Sequence, residues 1–150
     1  MRPYAPGDQA DHALEGLFTA LYAHLDKLGL GTPLVHDGAR LWLRAITPML
    51  GKLTFVHLAW EGTHACGFVA GTLRTLPAHL GGRRVGALTH IHVTEALRGR
   101  GVGRQLHDAL QESFRAKGVD LMETDALVHN AASRAFFAGL GFREDHVILR

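Results

Sequence analysis

The sequence predicts an α/β fold, a sheet with helices on both faces. Three observations carry this. From Val85 to Leu149 apolar strands alternate with amphipathic helices in a strand–helix–strand–helix–strand order. Two β-rich runs, Leu53–Trp60 and Ala65–Leu76, flank the turn Glu61-Gly-Thr63 and read as a hairpin. Near the start, Leu14, Leu17, Phe18, Leu21, Leu25 and Leu28 fall on one face of a single long helix.

The elements follow from local chemistry. Met1–Tyr4 reads as a short first strand, ended by Pro6-Gly7. Asp8 or Asp11 is placed to cap the long helix, and Gly29–Pro33 breaks it. A second helix is expected over about Asp37–Thr47, where Pro48 ends or kinks it. Pro77–Arg84 is a glycine-rich loop leading into the strand Val85–Val93. Val102, Leu106, Leu110 and Phe114 mark a helix over Val102–Lys117, stopped by Gly118. A strand Val119–Leu127, a short helix Asn130–Gly139 and a final strand Phe142–Leu149 complete the chain. There is no internal repeat, low-complexity stretch or linker, so residues 1–150 are expected to form one domain.

Composition narrows the function classes. At 47% hydrophobic, the chain can bury a sizeable core. A net charge of +2 with no basic run gives no footprint for nucleic acid. No apolar stretch approaches the roughly 18 residues of a membrane span, and the first residues lack the apolar centre of a signal peptide. The lone Cys66 cannot form an internal disulfide, which fits a reducing cytoplasm. Among eleven histidines, His90-x-His92 could share an ion on one strand face. No third ligand has recognisable spacing, so no metal is expected.

The strand ending at Val93 and the helix starting at Val102 are joined by Thr94-Glu-Ala-Leu-Arg-Gly-Arg-Gly101. A helix start exposes unpaired N–H groups and the positive end of the helix dipole, which together attract phosphate. Gly99, Gly101 and Gly103 leave backbone uncovered, while Arg98, Arg100 and Arg104 add positive charge. Each charge-assisted bond to a phosphate contributes about 1.5–3 kcal/mol. The same glycines would also serve a merely tight strand-to-helix turn. Neither the dinucleotide G-x-G-x-x-G pattern nor the Gly-Lys-Ser/Thr of ATP-binding loops is present.

Arg98-Gly-Arg-Gly101-Val-Gly103 matches the Q/R-x-x-G-x-G/A signature of the GNAT superfamily of acetyl-CoA-dependent N-acetyltransferases, which the chain resembles. Asn130-Ala-Ala-Ser-Arg-Ala-Phe-Phe-Ala-Gly-Leu-Gly-Phe142 is similar to a second block of that family, and the element order agrees from Met1 to Phe142. The resemblance implies a mixed, largely antiparallel sheet in which the strands of His90–Val93 and Leu121–Asp125 splay apart. Acetyl-CoA would lie in that gap. Backbone around Ile91, His92 and Val93 would pair with pantetheine. Arg98, Gly99, Arg100, Gly101, Val102, Gly103 and Arg104 would hold the pyrophosphate. Asn130 would contact the pantetheine arm, with Ser133, Phe136 and Phe137 near the cofactor.

The implied activity is acetyl transfer to a primary amine by direct attack on the thioester. A lysine-like amine has a pKa near 10.4, so about one molecule in 2500 is neutral at pH 7, a penalty of roughly 4.6 kcal/mol. A base is therefore useful, and Asp125 is the first candidate, followed by Glu123 and by His92 or His90. Trp42 and Trp60 are candidates for an acceptor pocket. The resemblance departs at Phe137, where many relatives carry a tyrosine that protonates the leaving thiolate. A non-catalytic acyl-CoA sensor of the same fold is the alternative. The short segment after Phe142 also implies a thin acceptor wall or sheet edge that a homodimer would complete.

Overall fold

The computed structural model describes residues 1–150. A five-stranded sheet has its strands in chain order: β1 (Arg2–Pro3), β2 (Thr54–Glu61), β3 (His64–Thr75), β4 (Arg84–Val93) and β5 (Met122–Thr124). Neighbours are antiparallel except β4 and β5, which run parallel. On one face lie α1 (Asp8–Lys27) and α2 (Gly38–Ile46); on the other lie α3 (Val102–Arg115) and α4 (Ala131–Gly139).

Two cores explain the layering. Leu14, Leu17, Phe18 and Leu21 of α1 meet Leu43 of α2 over Val56, Leu58 and Phe68 of the sheet. Leu106, Leu110 and Phe114 of α3 cover Val69, Leu73 and Leu88 on the opposite face. Alternation along each strand sends successive side chains to the two cores, so β3 is buried on both faces. At Gly71 a Cβ would lie 2.8 Å from Leu110 and Phe114, so glycine there lets α3 approach the sheet closely.

Helix ends follow their local chemistry. Neither Asp8 nor Asp11 is the N-cap of α1; Gly7 holds that place. Asp11 instead reaches back one turn, accepting from the Gly7 N–H at 3.1 Å and from the Tyr4 hydroxyl. The stop expected at Gly118 is present. Gly118 has φ 76°, and Val119 N–H returns to Phe114 O at 3.0 Å, a Schellman closure. After α2, Pro48 lies in a 3₁₀ turn over Thr47–Met49.

Two strand expectations need correction. The strand expected over Val119–Leu127 contracts to Met122–Thr124, because Val119 is buried in the α3 core and the chain leaves β4 after Thr124. The final strand expected over Phe142–Leu149 does not form. Arg143–Arg150 are exposed, and β5, only three residues long, offers no ladder to pair with. Val147, Ile148 and Leu149 alternate in no buried register and stand 68%, 60% and 90% exposed.

The parting of β4 and β5 has a local cause. Ala70 pairs with His90 but Gly71 pairs with Leu88, so Thr89 is an extra residue on β4. Such a bulge adds twist and turns the strand beyond it. The last β4–β5 pair is Leu88 with Thr124, one residue before the bulge, and there Thr124 Oγ1 donates to Leu88 O at 3.0 Å. His90–Val93 then run on with no strand paired to them on the β5 side.

Candidate active site

The free edge of β4 has a defined hydrogen-bonding sense. Thr94 N–H donates to Cys66 O at 2.9 Å, so residue 94 faces β3. Backbone groups alternate along a strand, so those of Val93 and Ile91 face the opposite way, into the gap. Their side chains pack in the α3 core, while His90 and His92 project to the α1 face. The gap is thus edged by the peptide groups of Ile91 and the N–H of Val93, which an extended amide chain can meet as an added strand, while the Val93 carbonyl accepts from Arg98 Nε.

The gap leads to the start of α3. Gly99 and Gly101 have φ 78° and 80°, the left-handed region that glycine enters without penalty, and a Cβ on either would meet nothing within 4 Å. Gly101 is the N-cap and supplies no side-chain acceptor. Gln105 N–H is the first of the helix to reach a backbone carbonyl, at Gly101 O (3.1 Å), which leaves the amides of Val102, Gly103 and Arg104 directed outward. Arg98 Nε donates to Val93 O at 3.0 Å, tying the loop to the β4 edge, and an Arg104 guanidinium nitrogen lies 3.4 Å from Gly139 O. Arg100 is exposed beside the turn. Gly103 serves packing, since a Cβ there would lie 3.2 Å from the Phe136 ring.

Asn130 caps α4, its Oδ1 accepting from Ser133 N–H at 3.1 Å, so its amide nitrogen is the group left to meet a ligand. Phe136 is half-buried over Gly103, at the mouth of the cradle. Phe137 is 5% exposed in the α3 core, between the rings of Phe136 at 5.2 Å and Phe142 at 5.5 Å, where its apolar ring supports Phe136.

The candidate bases are not brought together. Asp125, exposed just past β5, lies near enough to Tyr22 for its charge to help raise the tyrosine pKa, after burial. Glu123 is engaged by Arg74, accepting from its Nε two strands away, an ion pair that competes with a role as base. His92 is 8% exposed. Burial, then the charges of Arg98 and His24, push its pKa down to about 4. His90 is also pushed down to about 4 by burial, in a nest of Phe18, Trp42 and Tyr22. Both rings are neutral at pH 7. No group of three metal-ligating side chains exists anywhere in the fold. Of the two tryptophans, Trp42 stacks on Phe18 at 4.2 Å beside His90, whereas Trp60, packed against the same core, lies under Arg2 toward the β1 edge of the sheet. Cys66 is buried, its thiol bonded to Ala59 O and its pKa raised by burial, so it is no nucleophile.

Tyr22 was not singled out in the sequence. Its hydroxyl lies 3.2 Å from His90 Nε2, and it lines a cavity of about 330 Å³ with Thr19, Asp26, Leu34 and His36. The available signal was one tyrosine four residues after Phe18 in a leucine-rich helix, since a tyrosine on a core face needs a polar partner.

A strand edge that ends its ladder midway, beside a helix start with no side-chain cap, has the shape to receive an extended amide chain that ends in phosphate. Residues 19–142 match the acetyltransferase (GNAT) family profile. The chain belongs to that family and is an acyltransferase of the acetyl-CoA-using kind. A search of the curated proteins finds no match. Among solved structures, the aminoglycoside N-acetyltransferase AAC(6')-Iy in complex with CoA superposes with a TM-score of 0.76 at 25% identity, covering 93% of this chain and 86% of that one. The aminoglycoside 6'-N-acetyltransferase AAC(6')-IG from Acinetobacter haemolyticus gives 0.73 at 21% identity over 100% and 96%. A mutant of the BH1408 protein from Bacillus halodurans gives 0.77 at 21% identity over 96% and 94%. No helix is long and apolar enough to cross a membrane.

Proposed function

We propose that this chain transfers an acetyl group from acetyl-CoA to a primary amine of a small molecule by direct attack on the thioester. The observation that carries the reading is the continuity of the β4 edge, which no strand covers at Ile91 and at the Val93 N–H, with the start of α3 at Gly99–Arg104, which no side chain caps. Pantetheine would add to the edge as a strand. The pyrophosphate would meet the outward amides of Val102, Gly103 and Arg104 and the guanidinium of Arg100. AAC(6')-Iy has been solved with a bisubstrate analogue, CoA-S-monomethyl-acetylneamine, at 25% identity to this chain, which supports an aminoglycoside-like amine as the acceptor class.

The neutral amine forms its C–N bond to the thioester carbonyl, the C–S bond breaks, and the thiolate leaves. Asp125 is the proton acceptor in this reading, directly or through water, because it alone among the four carboxylate and imidazole candidates is both exposed and unpaired. No hydroxyl is available at Phe137 to protonate the sulfur. A thiol pKa is about 8.5, so the thiolate is a tolerable leaving group near neutral pH.

The test is thiol release from acetyl-CoA with neamine, spermidine and n-butylamine. Turnover with at least one amine is expected. Thermal stabilisation by CoA with no release from any of them would mark a sensor that binds without catalysis. Ligand at a hundred times its Kd stabilises by about 2.7 kcal/mol, so binding is easily seen.

A further inference from the structure

Four groups at the β4 bulge form a hydrogen-bonded chain whose direction can be worked out. Thr89 Oγ1 donates its single hydrogen to Ala70 O at 3.1 Å. Toward His90 Nδ1, at 2.9 Å, the same oxygen can only accept, so Nδ1 carries the imidazole proton. The ring is neutral near pH 7, because burial holds its pKa at about 4. Its Nε2 is therefore a bare acceptor. At 3.2 Å from Nε2, Tyr22 must donate. Phe18 at 5.0 Å and Trp42 at 5.3 Å wedge the ring, so it cannot turn to exchange its nitrogens.

The consequence falls on the outer side of Tyr22. Its only hydrogen is committed inward, and its oxygen retains lone pairs alone. Tyr22 is also one of the residues that line the cavity between α1 and the segment Pro33–His36, with Asp26 in the wall, and the charge of Asp125 acts on its hydroxyl. A site with this polarity attracts N–H donors and repels oxygen acceptors such as carboxylates. We propose that Tyr22 is a specificity-determining residue, locked by His90 and Thr89 as an acceptor-only oxygen that binds an N–H of the acceptor amine. The inference rests on the acetyltransferase reading for its substrate, but not for the direction of the chain.

Two measurements test it. In the free protein, ¹⁵N-imidazole NMR reads which nitrogen of His90 is protonated, and a proton on Nδ1 is expected. With the panel amine of highest kcat/KM, Tyr22→Phe should raise the amine KM about tenfold, the effect of losing one hydrogen bond to a charged group, and leave the KM for acetyl-CoA unchanged. Thr89→Val should raise the amine KM by a smaller factor, since either tautomer then becomes available, and Thr89→Ser should recover that loss. His90 protonated on Nε2, or an amine KM unmoved by Tyr22→Phe, overturns the inference. The two failures are separable. A panel without turnover overturns the acetyltransferase reading, while the NMR result decides the direction of the chain independently.

Discussion

Replacing Gly101 with valine separates binding from folding. Gly101 lies at φ 80°, ψ 4°, and nothing stands within 4 Å of a Cβ built there. The change therefore creates no clash, and its folding cost is conformational. Holding a side-chain-bearing residue in the left-handed region costs at least about 1–2 kcal/mol. For a chain of this size that lowers Tm by about 2–8 °C. Binding should lose more. If the turn relaxes toward negative φ, the amides of Val102, Gly103 and Arg104 no longer converge on one point. Loss of two charge-assisted bonds, each about 1.5–3 kcal/mol, weakens CoA affinity by more than 100-fold. Calorimetric titration with CoA measures the affinity, and a thermal melt without ligand measures the folding cost. A variant that binds CoA as tightly as the parent refutes the placement of the pyrophosphate. So would a variant whose affinity loss is matched in full by a loss of stability.

Further expectations concern the bases, pH and assembly. Asp125→Asn should lower kcat by roughly 10²-fold, whereas Glu123→Gln should leave kcat unchanged, because its carboxylate serves Arg74; equal rates in both variants would discard Asp125 as base. His90 and His92 have folded pKa values of about 4 against an unfolded value near 6.5, so the unfolded chain binds more protons between those limits. Stability is thus full above about pH 6.5 and falls as pH drops toward 4; melts at pH 7 and pH 4.5 with the same midpoint would contradict neutral, buried rings. Phe137→Tyr should bring no gain in kcat and a lower Tm, since the added hydroxyl enters a core of phenylalanines; a large rise in kcat would return this ring to the sulfur. We also propose that a second copy covers the edge of β5 and the exposed Val147–Leu149; a monomer mass by light scattering across a wide concentration range would overturn this.

The parts of this molecule that the sequence revealed are those written in backbone and packing. Periodicity located the long helices α1 and α3, because each buries one apolar face, and the glycine pattern located the left-handed turn before α3, because only glycine takes such turns freely. The β4 bulge was not legible, although it separates the two strands. An extra residue in a ladder is defined by its partners, and Thr89 carries no local mark of it. The fate of the carboxylates was hidden for the same reason. Glu123 and Asp125 look alike in sequence, two residues apart on one strand, yet Arg74 lies beside the first and Tyr22 near the second. A motif fixes which helix a ring belongs to, but the crossing of α4 over α3 decides that Phe136 packs over Gly103 and Phe137 fills the core. Side-chain polarity networks thus depend on tertiary neighbours far apart in the chain. His90 is the clearest case, since the tyrosine hydroxyl that meets its ring stands 68 positions away.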